Sequence, residues 1–289
     1  QAGPNTPAEA PASPEPDPTI PCAAEAHYEP HQSEWAAEAD GQAADVGGAS
    51  SAADVAALAE AGDTEAAATA LLTLAPHAAE TSGLCAAFEA TLAANARAAE
   101  AAGAMGGAVA QRAVTLLGAM QRHGVERTSM CYAHAIHACA CAGAACQGWM
   151  LQLLSRARAE ADAAAKADCA CFRAALLGLE RTRQWHHASS ILEAADADLV
   201  PLDSRCYAAA IGALRGGAPR AWQQALAHYH RMESKGVETS PEACTKLAEV
   251  FAESGQALQA LQTLTGCKAS GVRVPAAAGR GAAAVLRCW

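Results

Sequence analysis

From Ser51 onward the chain consists of stretches in which apolar residues recur every three or four positions, separated by short breaks that contain glycine. In one such stretch Tyr207, Ile211 and Leu214 stand at positions i, i+4 and i+7, which places them on one side of a helix. No segment shows the strict alternation of apolar and polar residues that is typical of a half-buried strand. The pattern therefore predicts an all-α fold built from short helices.

Internal repetition is visible in the way these stretches end. The sequence Met120–Val125 (MQRHGV) recurs as Met232–Val237 (MESKGV) and again as Cys267–Val272 (CKASGV). The copies start 112 and then 35 residues apart. A glycine at this place predicts the end of a helix, because glycine adopts the left-handed backbone conformation without steric cost.

A second landmark follows the same register. Tyr132, Phe172, Tyr207 and Cys244 stand near the start of successive helical stretches, at steps of 40, 35 and 37 residues. The first and last of them are 112 residues apart, as are the first two copies of the glycine motif. Each unit is predicted to be a helix-turn-helix hairpin of about 35 residues. Because single hairpins of this size bury their apolar sides only against neighbours, the sequence predicts an α-solenoid.

Small side chains support this stacked arrangement. A recurring alanine falls near the middle of each predicted second helix, at Ala113, Ala188, Ala225 and Ala260. Close approach of two helices requires a small residue at the crossing. The chain as a whole contains 82 alanines and only 4% aromatic residues, which favours helix formation but leaves little bulk for one large core.

Charge and proline content divide the chain. Residues 1–103 contain 16 acidic residues and a single basic one, Arg97, whereas residues 104–289 contain 19 Lys and Arg against 14 Asp and Glu. Eight of the 13 prolines lie within residues 1–30. We therefore predict a disordered acidic segment over 1–48, degenerate alanine-rich repeats over 49–103, well-defined repeats over 104–275 and a tail over 276–289. The mildly basic second part permits nucleic-acid binding without requiring it.

The 12 cysteines do not follow a metal or disulfide pattern, since no two are separated by two residues. Cys131, Cys171 and Cys206 each precede an aromatic residue at equivalent repeat positions, which indicates small core side chains in a reducing compartment. We predict structural thiols without a disulfide framework. No apolar run approaches the roughly 20 residues that a bilayer span needs, so no membrane association is predicted.

The repeat motifs resemble those of the pentatricopeptide repeat family. Ala252–Leu261 (AESGQALQAL) and Met232–Glu238 (MESKGVE) are similar to its second-helix start and its repeat ending. The resemblance covers residues 104–275 and continues in degenerate form over 51–103, where Ala61–Asp63 precedes an Ala-Leu helix. The tetratricopeptide family, which mostly binds peptides, is the alternative, but its large residue early in the first helix and its Gly-x2-Tyr spacing are absent.

The resemblance implies RNA binding in mitochondria or chloroplasts, with one base per repeat. Base choice in this family depends on the residue after the aromatic position and on the last residue of the repeat. The corresponding pairs are Ala133 with Asp168, Arg173 with Asp203, Ala208 with Ser240, and Thr245 with Pro275. Because alanine offers no hydrogen bond to a base edge, we expect contacts with the RNA backbone in place of sequence reading.

Candidate RNA contacts come from the first helices and the turns after them, which form the concave side in this family. The candidates are Arg173, Arg181, Arg183, Arg215, Thr245, Lys246, His134 and His137. The alternative for the charged residues is an ordinary solvated helix surface.

A polar cluster stands out at His134, His137 and Cys141, which fall at i, i+3 and i+7 of one predicted helix. These residue types bind zinc, but a structural zinc site needs four ligands and the cluster offers three without a clear fourth. The alternatives are a solvated or RNA-facing polar stripe and packing against a neighbouring repeat. We expect neither a metal nor a cofactor.

The chain contains no nucleophile elbow, no phosphate-binding loop and no paired-carboxylate motif, so we predict that it is not an enzyme. The resemblance, with a short array, implies a structural component of an organellar ribonucleoprotein such as the mitochondrial ribosome. Such a component would contact the sugar-phosphate backbone of ribosomal RNA by charge. It would contact neighbouring proteins by complementary shape. The alternatives are a protein-binding scaffold in an organellar complex without RNA and a free organellar mRNA processing or stability factor. The chloroplast is the alternative to the mitochondrion.

Overall fold

The computed structural model describes residues 51–77, 83–217 and 221–269. Within these ranges the backbone forms twelve α-helices and no strand. The helices are α1 Ala52–Glu60, α2 Thr64–Leu74, α3 Leu84–Ala102, α4 Gly107–Arg122, α5 Ser129–Cys141, α6 Gln147–Ala159, α7 Cys169–Thr182, α8 Trp185–Ala197, α9 Ser204–Ala213, α10 Ala221–Ser234, α11 Pro241–Glu253 and α12 Ala257–Ala269. The all-α prediction is confirmed.

The helices pair in chain order into six hairpins within the described ranges. We call the odd-numbered members first helices and the even-numbered members second helices. Each first helix, from α1 to α11, packs against the first helix of the next hairpin, whereas neighbouring second helices contact one another much less. This is the two-layered stack of an α-solenoid, as the repeat period predicted.

The first helices begin at polar capping residues that repeat with the predicted steps. The side chains of Thr128, Asp168, Asp203 and Ser240 each accept a hydrogen bond from a backbone N–H in the first turn of α5, α7, α9 and α11. Such caps satisfy donors that have no partner inside the helix. The 40-residue step is the longest because a nine-residue loop with a turn, residues 160–168, joins α6 to α7.

The recurring Met-x3-Gly-Val motif is a helix-ending hydrogen-bond pattern. In Met120–Val125 the valine N–H donates to the methionine carbonyl at 2.9 Å, and in Met232–Val237 it does so at 3.1 Å. The intervening glycines have φ of 66° and 70°. This 6→1 bond with a left-handed residue is the Schellman motif, so the sequence signature has a direct physical cause.

The same ending occurs at α8 without glycine. Val200 N–H donates to Ala195 C=O at 2.9 Å, and Leu199 takes the left-handed conformation with φ 56°. Because leucine stands where glycine is usual, the sequence motif did not identify this repeat end. Leu199 is 88% exposed.

The predicted core residues are buried. Tyr132, Phe172 and Tyr207 are at most 2% exposed, and the alanines predicted at the second-helix crossings are fully buried. The cysteines before the three aromatic residues are likewise buried and free. Cys244 is disulfide-bonded, so the prediction of thiols throughout is wrong at this position.

Ion pairs join neighbouring second helices where apolar contacts are few. They connect α2 with α4, α6 with α8, and α8 with α10. The pairs are Arg112 with Glu65, Arg158 with Asp198, and both Arg231 and Lys235 with Asp196. Basic residues of the outer layer are therefore largely used to hold the stack together.

Of the predicted segment boundaries, one falls within the described residues. The boundary between residues 103 and 104 falls in the turn between α3 and α4, which pack against each other as one hairpin. The segments 1–48 and 276–289 lie outside the described residues. Within those residues, no helix combines the length and the apolar character of a bilayer span.

Candidate functional site

The candidate residues lie on the layer of first helices. From α3 to α7 each first helix is buried except for a stripe on the side away from its second helix. We call these stripes, together with the corresponding sides of α9 and α11, the inner face. On α5 the stripe contains Met130, His134 and His137, whereas Cys141, the third member of the predicted polar cluster, is buried.

The two histidines are half-buried, and their surroundings favour the uncharged imidazole. Burial lowers the pKa of His134 below its ordinary value, opposed by Glu89. Burial also lowers the pKa of His137, although its Nε2 lies 3.9 Å from Glu100 Oε2. His137 Nε2 is 3.6 Å from Cys141 Sγ. Both rings are therefore uncharged near neutral pH and available as hydrogen-bond donors or acceptors.

Two arginines flank the histidine stripe without a carboxylate partner in the described structure. Arg181 on α7 is exposed, and its Nη1 donates to Cys141 Sγ at 2.9 Å. Arg97 on α3 is also exposed and makes no ion pair or hydrogen bond to described residues; its charge lowers the pKa of His134. Sequence reasoning missed Arg97 as a candidate because it falls in the acidic, degenerate part of the chain. Extending the repeat register into α3 would have found it.

Arg183 terminates α7 in an unusual conformation. It is the C-cap residue with φ 56°, and its side chain is exposed. A Cβ added at Gly216 would lie 2.9 Å from Arg183 Nη1, so the guanidinium extends to the end of α9. Arg183 forms no ion pair with any residue in the described ranges, which leaves its charge available.

Arg173 differs because it already has a partner. Its Nη1 donates to Asp203 Oδ2 at 2.9 Å, and both side chains are little more than one third exposed. Asp203 Oδ1 also accepts the N–H of Cys206 at 2.9 Å as the α9 cap. The two residues form the pair expected to choose a base in the resembling family, and here they bind each other.

Other residues of the predicted base-selecting pairs are also engaged within the protein. Asp168 caps α7 and accepts a hydrogen bond from Ser129 Oγ at 2.9 Å, and Ser240 caps α11. Thr245 donates its hydroxyl to the Pro241 carbonyl of its own helix at 2.7 Å. Pro275 lies outside the described residues. The described positions that would select bases thus mainly serve local structure.

On α9 and α11 the inner face is covered by an ion-pair network. Lys246 Nζ lies 2.7 Å from Glu180 Oε2 of α7 and 2.9 Å from Glu242 Oε1. The first contact crosses α9 at Gly212, where an added Cβ would lie 2.4 Å from Glu180 Oε1. Glycine at this position is therefore what lets a side chain of α7 reach α11.

Arg215 is held by two carboxylates of α11. Its Nη1 lies 3.1 Å from Glu249 Oε2, and its Nη2 lies 3.2 Å from Glu253 Oε1. Glu253 Oε2 also accepts the Gly216 N–H at 2.8 Å. A phosphate at Arg215 or Lys246 would have to compete with these carboxylates. Contact with RNA at these two predicted residues would therefore require breaking existing ion pairs.

The chain matches no protein-family model and no curated protein. It is similar in structure to the crystal structure of the pentatricopeptide repeat protein PPR10 from maize, with a TM-score of 0.53, 19% identity, and coverage of 84% of this chain and 36% of that chain. Crystal structures of PPR10 in complex with an 18-nt psaJ RNA element match with a TM-score of 0.49, 18% identity, and coverage of 74% and 31%.

The chain thus spans about a third of the length of these solved structures. At this level of identity the likeness concerns the fold, which agrees with the hairpin stack, the capped first helices and the Met-x3-Gly-Val endings. The chain is a helical-repeat protein with the fold of the pentatricopeptide repeat proteins.

Proposed function

We propose that this chain is a non-enzymatic RNA-binding scaffold that contacts RNA backbone through the α3–α7 part of its inner face. The observation that carries the proposal is the set of exposed arginines, Arg97, Arg181 and Arg183, that have no carboxylate partner in the described structure. Most other basic residues of the repeats are held in ion pairs. Unpaired cations on one side of a solenoid favour binding of a polyanion.

The histidine stripe fits the same ligand. His134 and His137 lie between α3 and α7, next to the unpaired arginines, and neutral imidazoles donate hydrogen bonds to phosphate or to exposed bases. Glu89 and Glu100 lie near the same stripe, so the field there is mixed. This mixture favours contact with structured RNA at a few phosphates over a continuous single-stranded track.

Base-by-base reading receives no support from the contacts. Ala133 and Ala208 are buried and carry no hydrogen-bonding group, and Arg173 and Asp203 bind each other. The proposed contacts therefore position the RNA and do not select its sequence.

For the host we propose an organellar ribonucleoprotein, with the mitochondrial ribosome first and a chloroplast complex as the alternative. A short array with backbone contacts suits a component embedded among RNA and proteins. Outside the inner face of α3, the acidic residues of 1–103 would repel phosphate and suit a basic neighbouring protein. They equally support the alternative of a protein scaffold without RNA. A free mRNA processing or stability factor fits less well, since it would need sequence reading.

The test is RNA affinity at several salt concentrations for Arg181→Glu and Arg183→Glu, singly and together. We expect the double variant to bind RNA at least roughly tenfold more weakly. The slope of log affinity against log salt concentration should fall by an amount that corresponds to about two phosphate contacts. Arg122→Glu is the matched control, because Arg122 is an exposed arginine on second helix α4 and forms no ion pair with the described residues. Arg173→Glu is less suitable, since it would place two carboxylates side by side.

Equal loss of affinity in Arg122→Glu and Arg181→Glu would mean only nonspecific attraction, and unchanged affinity in the double variant would exclude RNA from this face. The host is tested by sedimentation of the native protein from organelle lysate, with and without RNase. Comigration with ribosomal particles that RNase disrupts would support the ribonucleoprotein. A small complex unaffected by RNase would favour the protein scaffold.

A further inference from the structure

Two cysteines from neighbouring repeats face each other near the start of their helices. Cys169 is the first residue of α7 and is half-buried, whereas Cys206 lies in the first turn of α9 and is fully buried. Their Sγ atoms are 3.9 Å apart. Both cysteines are free. Neither is used by the proposed RNA contacts.

The surroundings of the two thiols make them unequal. A hydrogen bond from Cys206 lowers the pKa of Cys169 to about 7; burial opposes this shift, while the Asp203 N–H and the Arg173 charge add to it. The pKa of Cys206 is raised, by its bond to Cys169 and by burial. Thiolate reactivity follows both low pKa and access, so Cys169 is the reactive member of the pair.

A metal ion is a less suitable occupant for this cluster. The ligand atoms of Cys169, Asp203 and Cys206 lie within 4.8 Å of one another, the one such group found among the described residues. However, Asp203 already accepts the Cys206 N–H and the Arg173 guanidinium, each at 2.9 Å. Structural zinc sites use four protein ligands, and this cluster offers three. A metal ion bound to Asp203 would also have to displace the Arg173 guanidinium and would be repelled by its positive charge.

We propose that Cys169 is an oxidation site for hydroperoxides and that Cys206 is its resolving thiol, so that a disulfide joins α7 to α9. The Cys169 thiolate attacks the peroxide oxygen, which gives a sulfenic acid and releases water or an alcohol after protonation. The Cys206 sulfur then displaces the hydroxyl as water and forms the S–S bond. The two thiols supply two electrons and two protons, which reduce one peroxide.

The disulfide requires little movement. The sulfurs must approach from 3.9 Å to about 2.05 Å, and the partly exposed side chain of Cys169 is free to turn toward its buried partner. The bond would join residues 37 positions apart and fix the angle between two repeats. It would also lie beside the Arg173–Asp203 pair. An effect of oxidation on RNA affinity rests on the proposed function; the thiol chemistry does not.

The experiment treats the purified, folded chain with hydrogen peroxide, blocks remaining thiols and maps tryptic peptides by mass spectrometry. Trypsin places Cys169 with Cys171 in the peptide 167–173 and Cys206 in the peptide 206–215. We expect these peptides to appear linked, with the loss of two hydrogens, and fragment ions to assign the bond to Cys169. Cys85 is the internal control, because it is also half-buried but burial raises its pKa. Cys169 should be consumed roughly tenfold faster than Cys85.

Two variants separate the steps. Cys206→Ser removes the resolving thiol but keeps a hydrogen-bond donor to Cys169 Sγ, so a sulfenic acid on Cys169 should accumulate and be captured by dimedone. Cys169→Ser should abolish both the linked peptide and the dimedone adduct, and it alters a half-exposed position that is safe for folding. The proposal is overturned if folded wild-type protein forms no linked peptide, or if Cys85 reacts as fast as Cys169. RNA affinity of the oxidised and reduced chains is measured separately, so failure of the RNA proposal leaves the mass result intact.

Discussion

The inner face changes character between α7 and α9. On α3, α5 and α7 it carries exposed arginines without described carboxylate partners and two half-buried histidines. On α9 and α11 most of the same face is covered: beyond the exposed Arg205 in its first turn, α9 presents small buried residues such as Ala208 and Gly212, and α11 presents acidic residues that bind the nearby Lys246 and Arg215.

The difference teaches that helix position alone does not make a cation available to a ligand. Arg181 and Arg215 both follow or end a first helix in the repeat register, yet one donates only to a thiol and the other to two glutamates. What decides is the acidic content of the next first helix. The comparison predicts that charge changes in the α3–α7 region alter RNA binding, whereas changes in the α9–α11 region alter stability.

The largest effect is expected from breaking the covered network at its most buried ion pair. Lys246 and Glu180 are only 15% and 19% exposed, so Lys246→Met leaves a buried carboxylate and should lower the free energy of unfolding by about 3 kcal/mol. Burial already raises the pKa of Glu180 despite its ammonium partner, which shows that desolvation of this carboxylate outweighs the attraction.

For this reason the double variant Glu180→Leu with Lys246→Met should recover most of the loss. Arg215→Met is the control in the same region, because Arg215 is 37% exposed, its partners Glu249 and Glu253 are 30% and 38% exposed, and these ion pairs should be worth under about 1 kcal/mol. Urea unfolding measures all four proteins. A double variant as unstable as Lys246→Met would show that the pair itself, and not the stranded charge, stabilises the fold.

A smaller effect is expected at the close contact between α5 and α7. A Cβ added at Gly178 would lie 2.7 Å from Ala140 Cβ and 3.0 Å from its Cα, so the two helices would have to separate. Gly178→Ala should therefore destabilise the chain by about 2 kcal/mol, even after the gain in helix propensity.

Gly118→Ala is its matched control, since Gly118 lies within α4 with open space around the new methyl group. This change should stabilise the protein by up to about 1 kcal/mol. Thermal unfolding of both variants measures the difference. If Gly178→Ala is as stable as Gly118→Ala, the inner layer is not closely packed at this crossing.

The smallest effect concerns pH. Burial holds the pKa values of His134 and His137 below about 6.5, so each is neutral at pH 7.5, and its contribution to stability is lost as pH falls through the lowered folded value. Phosphate would favour the protonated forms, so RNA binding takes up protons. Affinity should therefore rise about threefold between pH 7.5 and 5.5.

The charged groups that act on these rings are Glu89, His137 and Arg97 for His134, and Glu100, Arg181 and Arg173 for His137. The double variant His134→Gln with His137→Gln should lose the pH dependence and keep its affinity at pH 7.5. A pH profile that is unchanged in this variant would assign the effect to other groups. It would then remove the α5 stripe from the proposed RNA contact.

Much of the fold follows from local chain properties. Hydrogen bonds within a few residues form at the capping residues Asp168 and Asp203 and at the Met-x3-Gly-Val endings. Their sequence pattern therefore predicts the local structure directly. The aromatic landmarks at Tyr132 and Phe172 predicted buried positions because large apolar side chains on one side of a helix pack against its neighbours. The repeat end at Leu199 escaped prediction because leucine, which does not favour the left-handed conformation, stands where the motif has glycine.

The sequence by itself determined the helical hairpins, their period and the polar stripe of His134 and His137, because helix periodicity and caps depend on neighbours within one turn. Only the tertiary structure decided which cations are available. Arg173 meets Asp203 across 30 positions, and Lys246 meets Glu180 across 66. Such partners are brought together by the stacking of repeats and not by spacing along the chain, so no local pattern distinguishes Arg181, which has no carboxylate partner in the described ranges, from Arg215, which has two.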